Sequence, residues 1–175
     1  MIPRQLFLTK GCGKHKERML SLELALREAG IAQYNLVKVT SIVPPGCIII
    51  PKKEGLTRLS PGEIIFCVMA ENSTNEPNRV MAASIGLAAP KEKDRHGYLL
   101  EHQSFDQDEQ EAGNYAESLA VEMLATTYKG VSWYKHKNHL DEIATTMNIA
   151  QTAVSEEGGL WTTALAVAVF VPEGN

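Results

Sequence analysis

The sequence has no apolar run long enough to cross a bilayer. The longest, Ala164 to Val171, spans eight residues, where a transmembrane helix needs about 20. The opening MIPRQLFLTKG contains a three-residue apolar run, too short for a signal peptide. Cysteine is scarce as well. Cys12, Cys47 and Cys67 make an odd count with no CxxC spacing, which points to reduced thiols in a cytosolic compartment and away from a disulfide framework. No basic patch stands out, and 17 basic against 21 acidic residues leave a net charge of -4, so nucleic acid is not an expected partner. There is no GxSxG elbow, no internal repeat and no low-complexity segment. Gly11, Gly13 and Lys14 in KGCGKHK fit neither GxxxxGK[ST] nor GxGxxG, so no nucleotide loop is expected. His136 and His139 form the one close histidine pair, spaced HxxH without a third ligand, so no metal site is expected. A Cys/His nucleophile pair stays open, although nothing in the sequence sets a cysteine beside a base.

With 44% hydrophobic residues, the 175-residue chain can bury one good core, which predicts a single domain. Residues 5–9 read as a short strand and KGCGKHK as a loop. Glu17 to Ala29 reads as a helix with Met19, Leu22, Leu26 and Ala29 on one stripe and Gly30 as its stop. Tyr34 to Val43 mixes β-branched residues with alternating polarity and reads as one strand, ended by Pro44-Pro45 because proline offers no N–H to a ladder. PKKEGLTRLSPGE reads as turns. Strands are expected over Glu63 to Glu71, Arg79 to Ala89 (rich in small residues that let another backbone approach), Tyr98 to Ser104, Glu142 to Val154 and Leu160 to Val171. The longest helix is expected over Gln107 to Lys129, with Ala112, Tyr115 or Ala116, Leu119, Ala120, Met123 and Leu124 on its packing side and Gly130 as its stop. A link carrying Trp133 and Tyr134 follows. Two helices and seven or eight strands in this order predict an α+β layered sandwich with mainly antiparallel or mixed sheets.

Three places could carry chemistry. Thr40 and Ser41 stand near a strand end, where they are either ordinary hydroxyl residues or the two sides of a reactive peptide bond. Glu101 shares a strand face with Leu99, so it is either a solvated strand-end carboxylate or a desolvated proton donor with a raised pKa. Glu23 sits at the edge of the apolar stripe of the first helix, either snorkelling to water or waiting for a cation.

Taken together, NLVKVTSIVPP at 35–45, AAP with its charged turn at 88–94 and GYLLE at 97–101 resemble the pyruvoyl-dependent arginine decarboxylases, over nearly the whole chain. The resemblance implies an αββα-type sandwich that cuts itself between Thr40 and Ser41 into fragments 1–40 and 41–175. Ser41 Oγ would attack the Thr40 carbonyl in an N-to-O acyl shift, Asn35 would stabilise the oxyanion, and β-elimination and hydrolysis would leave a covalent pyruvoyl group at 41. This cofactor would form a Schiff base with L-arginine and act as electron sink while CO2 leaves, giving agmatine. By the same resemblance Glu101 is the proton donor, and Glu23, with Leu26 nearby, contacts the substrate, its carboxylate meeting the guanidinium. The family places its active site between subunits of a trimer, sometimes stacked as two trimers, and implies a small-molecule amino-acid substrate with neither nucleic acid nor membrane as partner. Two positions depart from the pattern: Thr40 stands where serine is frequent, and Glu23 is one methylene longer than the aspartate expected there. The competing readings are a pyruvoyl decarboxylase of histidine or lysine, and a trimeric binding or scaffold protein that never cleaves.

Overall fold

A computed structural model describes residues 2–128 and 143–172. Nine strands and three helices are found among these residues: β1 (Gln5–His15), α1 (Arg18–Glu28), β2 (Asn35–Lys38), β3 (Ile42–Val43), β4 (Ile48–Ile49), α2 (Lys52–Leu56), β5 (Ile64–Thr74), β6 (Val80–Pro90), β7 (Gly97–Phe105), α3 (Glu109–Thr126), β8 (Ile143–Val154) and β9 (Trp161–Val171). Trp133, Tyr134, the His136/His139 pair and Gly130 lie outside the described residues.

The strands form two sheets, one ordered β2-β5-β9-β1-β4 and the other β3-β7-β6-β8. Pairings β1–β4 and β2–β5 are parallel and the others antiparallel, so the expectation of mixed sheets is met. Alternation along each strand sorts its residues between two faces. On β5, Val68 and Ala70 join Leu6, Ile85, Leu87, Leu99 and Phe170 in the core between the sheets, whereas Ile65, Cys67 and Met69 face α1 together with Ala25, Ala29 and Ile31. On the far side of the second sheet, Ala120 and Leu124 of α3 cover Ala88. The layers therefore run helix, sheet, sheet, helix: an αββα sandwich.

Glycine governs both helix-on-sheet seams. A Cβ at Gly11 would stand 2.3 Å from the Ala25 carbonyl oxygen, and one at Gly13 2.2 Å from that of Ser21. These glycines belong to β1, not to a loop as KGCGKHK had suggested, and they are where the α1 backbone rests on the strand. Their spacing records close packing, with no phosphate cradle involved. The seam also shifts the buried side of α1. Ser21 and Ala25 are its buried residues, Leu22 and Leu26 pack partly buried beside them, and Met19, expected on the stripe, is 74% exposed. On the other sheet a Cβ at Gly86 would meet the Ala116 backbone at 2.1 Å, so the small-residue strand does admit another backbone. α3 buries Ala112, Ala116, Ala120 and Leu124, leaving Tyr115 47% exposed. A capping box closes its start, with Asp108 and Glu111 exchanging side-chain-to-backbone hydrogen bonds.

Two other expectations are corrected. The turn-rich PKKEGLTRLSPGE contains the short helix α2, with Gly55 set against the Phe7 ring. And Tyr34 to Val43 is not one strand: β2 pairs with β5 in the first sheet, whereas β3 pairs with β7 in the second.

Candidate active site

That break is where the site is built. β2 runs parallel to β5 until Val39, whose N–H still reaches the Cys67 carbonyl at 2.9 Å. The chain then crosses the sandwich and joins β7, where the Leu99 N–H donates to the Ser41 carbonyl at 2.7 Å. The Thr40–Ser41 peptide is thus the crossover itself, between one ladder that ends at Val39 and another that begins with the Ser41 carbonyl. Thr40 is exposed and Ser41 half-buried. Proline after Val43 stops β3 at two residues.

Glu101 lies two residues beyond Leu99 on the same face of β7, about 7 Å along the strand. In the β2–β5 register the next ladder donor on β5 is the Met69 N–H, left without a strand partner when β2 departs and turned toward the Glu101 carboxyl. Although Glu101 is exposed as a residue, enough protein surrounds its carboxyl for desolvation to raise its pKa above the usual carboxylate range, while the Lys38 ammonium and the Met69 hydrogen bond pull it partly back. Lys38 in turn pairs with Glu71 at 3.6 Å, and Arg18 at the start of α1 holds the other Glu71 oxygen at 3.8 Å.

The remaining candidates lie elsewhere in the chain. Asn35 opens β2 and donates through Nδ2 to the Gly62 carbonyl at 2.7 Å; Thr40 is five residues on, about 16 Å of extended chain. Within one copy, then, Asn35 and the Thr40–Ser41 bond stand at opposite ends of the strand. Glu23 lies on α1 and receives Arg27 Nε at 2.9 Å, beside a shallow pocket of about 370 Å³ formed with Gly30, Ala32 and Gln33. Leu26 is partly buried against the α1-side core. A separate apolar groove of about 390 Å³ runs past Thr40 along Val39, Ile42, Ile64 and Phe66 and shares no lining residue with the Glu23 pocket.

Other chemistries find little footing. Burial pushes the thiols of Cys47 and Cys67 up to about 11 and raises that of Cys12 as well, which keeps all three protonated and weakly nucleophilic at neutral pH. Among the described residues no three His, Cys, Asp or Glu side chains are grouped to hold a metal, and no helix is long and apolar enough to cross a membrane. Sequence reasoning missed Lys38, Glu71 and the backbone donor Leu99. The one available signal was a lysine inside the same VKVTS segment as the hydroxyl pair.

Residues 5–175 match the family model of the pyruvoyl-dependent arginine decarboxylases. Among curated relatives, the chain is 50% identical to pyruvoyl-dependent arginine decarboxylase 2 of Methanosarcina acetivorans, with 98% of each chain covered. It is 49% identical to the protein of the same name from Methanosarcina mazei, again over 98% of each. The pyruvoyl-dependent arginine decarboxylase of Methanocella arvoryzae is 49% identical, over 98% of this chain and 97% of that one. An αββα sandwich whose crossover peptide is Thr40–Ser41, matched over nearly its full length at this identity, belongs to the pyruvoyl-dependent arginine decarboxylase family.

Proposed function

We propose that the 175 residues act as one decarboxylase domain that cuts itself between Thr40 and Ser41, carries a covalent pyruvoyl group made from Ser41, and converts L-arginine to agmatine and CO2. The observation that carries this reading is the crossover. The bond expected to break is the link between two sheets, so both new ends stay attached after cleavage, residues 35–38 through β5 and residue 41 onward through β7. Ser41 Oγ attacks the Thr40 carbonyl, the peptide becomes an ester, elimination at residue 41 frees the Thr40 carboxylate, and water then replaces the nitrogen of residue 41, which leaves as ammonia. The residues present fit the product: the Ser41 carbonyl survives as the inner carbonyl of the group, and the Leu99 N–H that holds it would keep it in place. The ketone supplies an electron sink when CO2 leaves. Glu101 supplies the proton to the former α-carbon, and its raised pKa suits a donor working near neutral pH.

Recognition of arginine rests on Glu23. Its carboxylate already holds a guanidinium, that of Arg27, the group a bound arginine side chain would present. Because Glu23 and Asn35 do not converge on Thr40–Ser41 within one copy, the site is completed by a neighbouring subunit in a trimer or a pair of stacked trimers. The apolar surface around the crossover supports this: Val37, Val39, Ile42, Ile64 and Phe66 are all exposed in the single chain, and burial against another copy would remove them from water. The protein acts in the cytoplasm, consistent with three free thiols.

Intact-mass measurement of freshly purified protein tests the reading. Fragments 1–40 and 41–175 are expected, with the mass at residue 41 matching pyruvoyl, and Ser41→Ala should stay whole. A single uncut wild-type species after long incubation overturns it in favour of a non-cleaving scaffold. Steady-state assays with arginine, lysine and histidine then separate the substrates, and absence of arginine turnover by fully cut protein defeats the arginine assignment.

A further inference from the structure

The pocket beside Glu23 contains one polar side chain to which the reaction has so far given no part. Glu23, Arg27, Gly30, Ala32 and Gln33 line it, enclosing about 370 Å³. Gly30 has no side chain, Ala32 has a methyl group, and Arg27 brings donors that already reach Glu23 at 2.9 Å. Among these side chains only Glu23 and Gln33 carry acceptor oxygens. Gln33 is held at two points. Its backbone carbonyl accepts the Gly62 N–H at 2.8 Å, and its amide nitrogen donates to the Tyr34 hydroxyl at 2.9 Å. Tyr34 is 7% exposed, so that hydroxyl is a fixed acceptor. The oxygen and nitrogen of an amide diverge from one carbon. With the nitrogen on Tyr34, the oxygen is turned away from it, and no hydrogen bond among the described residues uses that oxygen.

We propose that Gln33 is a specificity-determining residue: its amide oxygen is a second acceptor for the substrate guanidinium beside Glu23, and it is what separates arginine from lysine. This rests on the decarboxylase reading and deepens it. A carboxylate by itself attracts either cation. A lysine ammonium is a compact charge with three donors, whereas a guanidinium is a flat fork with five. Glu23 can accept two of those five along one edge of the fork, which leaves the others to find acceptors of their own. The Gln33 oxygen accepts one of them and adds no charge that would draw an ammonium equally well. An ammonium has no fork with which to span both groups, so it gains at Glu23 and little at Gln33.

Gln33 also joins two candidates that fail to meet Thr40–Ser41 within one copy. It lines the Glu23 pocket and stands two residues before Asn35. One turn residue grips both ends of this stretch. Gly62, at φ 82°, donates to the Gln33 carbonyl and accepts from Asn35 Nδ2, in a backbone conformation that favours glycine. The guanidinium pocket and Asn35 are therefore held in one register, and a neighbouring copy would meet both together.

The test titrates the purified protein calorimetrically with agmatine and, separately, with 1,5-diaminopentane, the amine that lysine would give. Wild type should bind agmatine the more tightly. Gln33→Met keeps the length of the side chain and removes the acceptor. It should weaken agmatine binding about tenfold and move the diamine by less than about twofold, so that the preference collapses. Gln33→Leu serves as a second variant should the Met protein fail to fold. Tyr34→Phe releases the amide to turn and should weaken agmatine binding by a smaller factor. In steady state the Gln33→Met loss with arginine should appear in KM rather than in kcat, a split that general destabilisation would not produce. The assignment is overturned by an unchanged preference in folded Gln33→Met, by tighter agmatine binding there, which would put the amide nitrogen toward the pocket, or by an unaltered affinity in Tyr34→Phe. A wild-type protein that binds the diamine equally well overturns it too. A preference that collapses as expected in a protein that stays uncut or turns over no arginine keeps Gln33 as a guanidinium receptor and removes the decarboxylase reading instead.

Discussion

Glu101 and Glu23 are both carboxylates expected to meet the same substrate, yet the fold treats them in opposite ways. Glu101 projects from a central strand of one sheet toward the bared edge of the other, surrounded by enough protein to raise its pKa. Glu23 stands on the outer side of a helix, paired with Arg27 across one turn, with side-chain exposures of 37% and 66%. The first environment tunes a proton and the second holds a charge. The difference teaches that one chain can hold two kinds of carboxylate, one half-enclosed and desolvated and one paired with a cation at the surface, and that the roles proposed for them ask for that division.

The strongest way to break this comparison is at Glu101. Glu101→Gln keeps the shape and removes the transferable proton, so turnover should fall by roughly 10² to 10⁴, while fragments 1–40 and 41–175 still form. Single-turnover kinetics beside intact-mass measurement separates the two effects. Wild-type kcat in the fully cut variant would remove Glu101 from the chemistry. The pH dependence follows from the direction of its shift. A donor must be protonated once substrate is bound, so kcat should decline as pH rises through the raised pKa of Glu101, later than it would for an ordinary glutamate. A flat kcat across that range would separate proton delivery from this side chain.

At Glu23 the expected loss is smaller and of another kind. Glu23→Gln removes one charge-assisted contact worth about 1.5–3 kcal/mol, or roughly 10- to 150-fold in binding. It should appear in KM for arginine with kcat little changed, because the guanidinium is remote from the bond that breaks. A fall in kcat with unaltered KM would place Glu23 with Glu101 and erase the distinction.

Much of this was legible in the residues. The Thr40–Ser41 pair, the strand carrying Glu101 and the helix carrying Glu23 are all read from local pattern, since period-two alternation and helical stripes survive in the sequence. What was not legible depends on partners far along the chain. Gly11 and Gly13 look like a loop until Ala25 and Ser21 of α1 are laid on them. The break between β2 and β3 is invisible because both halves have strand composition and only their partners, β5 and β7, differ. Lys38 looks like an outward-facing charge on an edge strand, and only the fold brings it to Glu71, which Arg18 holds from the other side.

The finest probe of the comparison is Arg27, which lends Glu23 its resting partner. If Glu23 is a guanidinium receptor, Arg27 competes with the substrate for the same oxygens. An exposed pair one helical turn apart is worth only about 0.3–0.5 kcal/mol, so displacing it costs little. Arg27→Met should therefore lower KM for arginine by about twofold, leave kcat and cleavage unchanged, and have no effect in the Glu23→Gln background, where nothing is left to compete for. A twofold rise in KM would mean the opposite arrangement, in which Arg27 holds the Glu23 side chain in place for the substrate.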